Sequence, residues 1–347
     1  MDEQVVVMGA GFAGANAALR LSRRGFDVKV IDVKGTHEYT PGIIDVIRER
    51  VSENKLKREL HNLFDTENIE FTRERIESVD PDSRVVKTNA GSHNYDYLVV
   101  ALGGEPNDFG MDVSEAISPY NLSEAKKVVE DLEDDDEVLI VGSGYVGIEF
   151  AGELSERGNE VTLVDQSTSP MSRSNEKASK IALDYLNKNN INFRGGQRVS
   201  EVNEQSVKLE NGKKIEADKV LWSGGVRASE VVRESFDVES RGLPVDQNLQ
   251  SPEYPKVFAA GDSADDDSVK TAHNSMRAGD LVGKNVGKSK SNMERYEGGE
   301  HSMIISMGDT AIFTKGDKAY EKKFFRKVKD MIRIFYWKQL SLSRVLS

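Results

Sequence analysis

Six glycines and two aspartates recur in this sequence at one fixed interval. Gly9, Gly11 and Gly14 follow the apolar run Val5–Met8, and Asp32 closes a second apolar run, Val28–Ile31. Gly142, Gly144, Gly147 and Asp165 repeat the arrangement 133 residues later, in LIVGSGYVGIEFAGELSERGNEVTLVD. Such spacing serves the cradling of a pyrophosphate. The first glycine permits a tight turn, the second lets backbone approach a phosphate, and the third lets helix pack on strand. Free N–H groups and the positive dipole end of the helix then face the anion. The acid at the next strand end accepts from ribose hydroxyls. One glycine triplet is a weak signal. Two, each in a full strand–helix–strand context and matched to the residue, predict two dinucleotide sites on a tandem Rossmann pair. The economical assignment is FAD and a nicotinamide. A carboxylate at Asp165 repels a 2′-phosphate, and no arginine follows in Gln166-Ser167-Thr168-Ser169, so NADH is expected over NADPH.

Two further stretches read as buried strands that deliver glycines to a strand end, where open parallel sheets bind ligands. They are YDYLVVALGGEP (Tyr95–Pro106), with Gly103, and YPKVFAAGDSA (Tyr254–Ala264), with Gly261 and Asp262. With the two glycine loops, they resemble the flavin-dependent pyridine nucleotide-disulphide oxidoreductases. DKVLWSGGVRAS (Asp218–Ser229), VDQNLQSPEYPKVFAAGDSA and GEHSMIISMGDTAIF (Gly299–Phe313) resemble segments of the type II NADH dehydrogenases, the single-subunit NADH:quinone oxidoreductases. The resemblance covers nearly the whole chain. It implies that Gly9, Gly11, Gly14, Asp32, Gly103, Gly261, Asp262 and Ala272 hold FAD. Gly142, Gly144, Gly147, Asp165 and Gly225 would hold NADH. Glu149 would lie beside nicotinamide and flavin, with a quinone as the acceptor. HEYTPGII (His37–Ile44) matches an aromatic-x-Pro segment near the flavin; Tyr39 packs on the cofactor or belongs to a plain surface loop.

The chain has no cysteine. That excludes disulfides, cysteine-ligated zinc, iron–sulfur clusters and any thiol relay, and no metal site is expected. Electrons must therefore pass from flavin directly to the second substrate: a quinone, a ferredoxin- or rubredoxin-type carrier, or dioxygen. TAHNSMRAGD (Thr271–Asp280) is the expected acceptor wall. The resembled family carries an Ala-Gln-x-Ala-x-Gln pattern there, and this chain has Ala272, His273, Ser275 and Arg277, with both glutamines replaced. His273, a side chain that titrates near neutrality, delivers a proton to a quinone oxygen or bonds to backbone at the helix start. Glu153, one turn beyond Glu149, is expected to face solvent.

At 347 residues the chain predicts two or three domains. The expected fold class is α/β, with a tandem Rossmann pair and a small C-terminal α+β region. The FAD domain comprises 1–107 and 240–285, the NAD(H) domain 108–239 and the C-terminal region 286–347. The acidic run EDLEDDDE (Glu130–Glu137) reads as a solvated helix end and turn, and no repeat beyond the Rossmann pair is visible. The net charge of −12 is uneven: from Lys315 onward, ten Lys and Arg face three Asp and Glu. The segment 321–340, EKKFFRKVKDMIRIFYWKQL, reads as an amphipathic helix. Phe324, Phe325, Val328, Met331, Ile332, Phe335, Tyr336 and Leu340 form its stripe, and Lys322, Lys323, Arg326, Lys327, Lys329 and Arg333 its basic side. This pattern suits a membrane surface, or else a helix whose stripe packs on the core. Nucleic acid is disfavoured because the acidic body repels it. With an acidic N-terminus and no apolar run of about 20 residues, the expectation is a peripheral enzyme on the cytoplasmic face of the membrane. Homodimerisation stays open. A soluble carrier reductase and an NADH-binding signalling flavoprotein are the alternatives; neither needs the apolar, basic tail.

Overall fold

The computed structural model describes residues 3–66, 68–239, 241–298 and 302–345. The acidic Met1-Asp2 and the first three residues of Gly299–Phe313 lie outside the described residues. Two parallel sheets organise the chain. In the first, the strand order is Val257–Ala259, Tyr97–Val100, Gln4–Met8, Asp27–Asp32, Ile69–Arg73, and every neighbouring pair is parallel. Val5 and Val7 enter one core and Val6 and Met8 another. Burial on both faces is why these strands read as continuous apolar runs rather than alternating ones. In the second, the order is Asn192–Arg194, Glu160–Val164, Glu137–Val141, Lys219–Trp222, again all parallel.

The duplication extends further than the sequence shows. Each parallel sheet is accompanied by a three-stranded antiparallel meander: Ile76–Asp80, Val85–Thr88 and Gly91–Asn94 beside the first, Val199–Asn203, Ser206–Leu209 and Lys214–Glu216 beside the second. A meander needs only alternation and turns, which many residues satisfy, so no fixed residues mark its repetition. The units are joined by antiparallel pairing of Gly104–Pro106 with Val226–Ala228, and Trp222 Nε1 donates to the Asn107 carbonyl at 2.9 Å. In the acidic run, helix Leu122–Glu130 ends and Asp131, Glu133, Asp134 and Asp135 are exposed.

Small residues bring helices close to the glycine loops. A methyl on Gly279 of helix Ala272–Asn285 would lie 2.1 Å from the Ala13 carbonyl oxygen of helix Phe12–Ser22. The C-terminal sheet, Met303–Met307, Thr310–Lys315 and Lys318–Glu321, packs on helix Tyr145–Arg157, where a methyl on Gly152 would meet Gly308 N at 2.6 Å. The last helix, Lys323–Val345, starts two residues later than the segment 321–340 and runs on beyond it.

A methyl on Gly14 would sit 1.9 Å from the Gly9 carbonyl oxygen, whereas one on Gly11 meets nothing within 4 Å. Gly14→Ala is therefore expected to destabilise the protein by about 3 kcal/mol, and Gly11→Ala by less than about 1 kcal/mol. Chemical denaturation of both variants measures this, and equal losses would contradict it.

Candidate functional site

The two glycine loops are built on the same plan. Gly9 (φ +92°) and Gly142 (φ +103°) adopt the conformation that favours glycine. A methyl would stand 2.4 Å from the Ala101 carbonyl oxygen at Gly9 and 2.5 Å from that of Ser223 at Gly142. Gly14 and Gly147 each lie against the loop's first glycine, at 1.9 and 2.0 Å for a methyl. Gly11 and Gly144 are the helix N-caps, give no side-chain cap and face open space. Neither helix has an acid in its first turn. Free N–H groups, a positive dipole end and room for backbone approach fit a pyrophosphate at both loops.

The two aspartates do more than the sequence shows: each clamps its own loop. Asp32 accepts from Ala10 N and Lys34 N, both at 2.7 Å. Asp165 accepts from Ser143 N at 2.6 Å, Ser143 Oγ at 2.8 Å and Ser167 N at 2.7 Å. Carboxylate lone pairs remain for ribose hydroxyls. Burial raises the Asp32 pKa, with the Lys34 and Ala10 N–H groups opposing.

Around the first loop, Gly103 and Gly261 have φ of +74° and +69°, and Gly103 N donates to Ser263 Oγ at 3.0 Å. The Asp262 carboxylate hydrogen-bonds to no described residue, and burial raises its pKa while Lys270 opposes. It fits as an acceptor for a hydroxylated chain of a flavin dinucleotide. Thr271 caps helix Ala272–Asn285, accepting from Asn274 N. In its first turn Ala272 is half-buried and His273 exposed. Near the second loop, Gly225 (φ +106°) donates from N to Tyr120 Oη at 2.8 Å. Glu149, in the opening turns of helix Tyr145–Arg157, accepts from Ser306 N at 2.9 Å and pairs with Lys329 of the C-terminal helix.

The pattern of the pyridine nucleotide-disulphide oxidoreductase family matches residues 3–279. The chain belongs to this family. As a member it is a flavin-dependent oxidoreductase of pyridine nucleotides, and the cradles above fit both groups. Among curated proteins it is similar to the type II NADH:quinone oxidoreductase of Staphylococcus aureus, at 24% identity over 96% of this chain and 95% of that protein. It is also similar to that of Staphylococcus haemolyticus, at 25% identity and the same coverage. In fold it is similar to NDH2 of Plasmodium falciparum, solved with NADH: TM-score 0.85, 13% identity, 100% of this chain and 96% of the other. The sulfide:quinone oxidoreductase of Aquifex aeolicus gives 0.84 at 19% identity, covering 98% and 92%.

The C-terminal helix departs from the expected division into an apolar stripe and a solvent-facing basic side. Arg326, Lys329 and Arg333 point inward with Tyr336, Trp337 and Leu340. Phe324, Met331, Ile332, Ile334, Phe335 and Leu342 are exposed. The cause is the surface the helix covers, which carries Asp45, Glu149 and Glu153. Glu153 also corrects the sequence reading: it is fully buried, not solvent-facing. Its Oε2 accepts from Arg50 Nε at 2.9 Å, and Arg326 stands 3.6 Å from Oε1. Arg326 pairs at the same time with Asp45. Burial raises the Glu153 pKa against the pull of Arg50. Charge periodicity cannot reveal an acid buried by a distant arginine. Tyr39 is buried too, among Phe12, Tyr336 and Trp337, and so is not part of a surface loop.

His37, buried behind the first loop, was not singled out by the sequence. Its Nδ1 lies 2.7 Å from the Ala10 carbonyl and so carries the proton, leaving Nε2 to accept from the Tyr336 hydroxyl at 2.5 Å. Burial lowers its pKa to about 4. A base that resists protonation when folded contributes stability above its unfolded pKa, and that contribution is lost as pH falls toward 4. Between pH 6.5 and 4 the melting temperature of the parent should fall more steeply than that of His37→Gln. Parallel curves would show that His37 is not buried neutral.

Proposed function

We propose that this protein oxidises NADH and passes two electrons through FAD to a membrane quinone, without proton translocation. The observation that carries the reading is the junction at Glu149. The acid lies in the second turn of the second cradle's helix and is gripped by the helix that presents the apolar outer face. Likeness to the staphylococcal NADH:quinone oxidoreductases along nearly the full chain supports it.

Gly9, Gly11, Gly14 and Asp32 hold the FAD pyrophosphate and ribose, Gly103, Gly261, Asp262 and Ala272 the remainder of the cofactor. Gly142, Gly144, Gly147, Asp165 and Gly225 hold NADH. The flavin supplies a two-electron relay between the two substrates. NADH brings two electrons and one proton, and a quinol keeps two of each. One proton per turnover therefore comes from water, and exposed His273 is placed to hand it on. Glu149, oriented by Ser306 N and Lys329, positions the nicotinamide end. A carrier-protein reductase has no use for the exposed Phe324, Met331, Phe335 and Leu342, which sit beside Lys323, Lys327 and Lys338. Such a face suits the interface of an anionic bilayer. No helix among the described residues is long and apolar enough to cross a membrane. The apolar and basic outer face of the C-terminal helix is the ground for proposing a peripheral enzyme on the cytoplasmic membrane surface.

An anaerobic visible spectrum tests the reaction. NADH should bleach the flavin band and a short-chain quinone should restore it. His273→Ala should slow recovery at least about tenfold more than bleaching, and equal slowing would remove His273 from the proton path. Bleaching without recovery would favour a protein acceptor. For the membrane face, Phe324→Glu with Phe335→Glu should weaken flotation with anionic vesicles by at least about tenfold, the loss of two buried aromatic side chains. Undiminished flotation would remove this face from the bilayer.

A further inference from the structure

The inward face of the C-terminal helix presents four polar heads in succession: Arg326, Lys329, Arg333 and Tyr336. Three of them meet a partner on another element. Arg326 pairs with Asp45 and Glu153, Lys329 with Glu149 and with Ser306 Oγ at 3.1 Å, and Tyr336 with His37. Arg333 meets none. Its acidic neighbour is Asp330 of its own helix, 3.6 Å away and itself half-buried, and it hydrogen-bonds to no described residue. Yet Arg333 is only 8% exposed. A guanidinium carries five donors, and a buried one calls for acceptors.

Tyr39 stands in the same situation. It is 5% exposed, and its ring packs against Phe12 at 5.9 Å and Tyr336 at 5.5 Å. Its hydroxyl bonds to no described residue. Burial raises its pKa, with the Arg333 charge opposing, so the hydroxyl keeps its proton and is a donor at neutral pH. The charges of Glu149 and Asp45 also reach it. Two donors without a hydrogen-bond partner among the described residues, on side chains more than nine-tenths buried, thus share one neighbourhood walled by Phe12 and Tyr336 and reached by the Glu149 charge. Donors without acceptors, lined by rings, suit a flat, uncharged molecule whose polar atoms are carbonyl oxygens.

We propose that Arg333 and Tyr39 form the polar end of the acceptor pocket and hold a carbonyl oxygen of the quinone. The inference rests on the quinone reading above and adds the residues that recognise the head group. The guanidinium attracts the oxygen more strongly as negative charge builds on it, so these residues act on quinone and not on NADH. The Arg326 and Lys329 charges are already met by Asp45, Glu153 and Glu149, whereas among the described residues Arg333 has only the Asp330 charge of its own helix beside it.

Ferricyanide, which takes single electrons and has no carbonyl to grip, separates this role from general damage. In Arg333→Met, the ratio of kcat/KM for a short-chain quinone to that for ferricyanide should fall about 10- to 100-fold. Arg333→Lys should recover part of the loss. Tyr39→Phe, which removes one oxygen and no packing, should lower the same ratio several-fold, and it reads the proposal even if Arg333→Met does not fold. A ratio unchanged in Tyr39→Phe and in whichever Arg333 variant folds would overturn the proposal, because a purely structural role lowers both acceptors together. If the parent protein reduces ferricyanide with NADH but no quinone, the quinone reading itself fails, and this inference with it.

Discussion

Two carboxylates carried into the interior by one helix govern the assembly of the rest. Glu149 and Glu153 lie one turn apart on helix Tyr145–Arg157, and neither is left in free solvent. A buried carboxylate without a partner is strongly unfavourable. Lys329 and Arg326, three residues apart on the C-terminal helix, meet the two acids in register, one turn against one turn. Arg50, from the segment after the first glycine loop, reaches the same Glu153. Three distant stretches of chain are held to one geometry by charge. Such pairs need not add net stability, but breaking one costs about 3–5 kcal/mol. They hold the C-terminal helix in one register against helix Tyr145–Arg157.

The cradles show one local problem solved twice. In each, a glycine with positive φ turns the chain under a neighbouring carbonyl, a later glycine closes on the first, and a strand-end aspartate clamps the loop by its N–H groups. What differs is the cover. Helix Ala272–Asn285 lies over the first glycine-loop helix, and the C-terminal sheet lies over the second. The same supersecondary unit thereby serves two roles, because surroundings and not the loop decide what each bound group faces.

The C-terminal helix works on both sides at once. Inward, its cations satisfy the buried acids and its aromatic residues close around Phe12, His37 and Tyr39. Outward, it presents apolar side chains with lysines beside them. Under the proposed function, the outer face meets the bilayer while the inner face lines the site, so one element would serve both.

The sequence alone determined the two glycine loops, their strand-end acids and the parallel strands feeding them. A pyrophosphate turn tolerates only glycine at set positions, and doubly buried strands must be apolar throughout. The absence of cysteine likewise settled that no thiol relay takes part. The amphipathic tail was legible as a helix, but not its orientation, because the periodicity of Arg326, Lys329 and Arg333 says nothing of what they face. Glu153 read as a surface acid and His37 drew no reading of its own for the same reason. Their partners, Arg50, Arg326 and Tyr336, lie from 103 to 299 residues away. Burial of a charge is decided by pairing across the fold, and pairing at that separation exists only once the chain has closed.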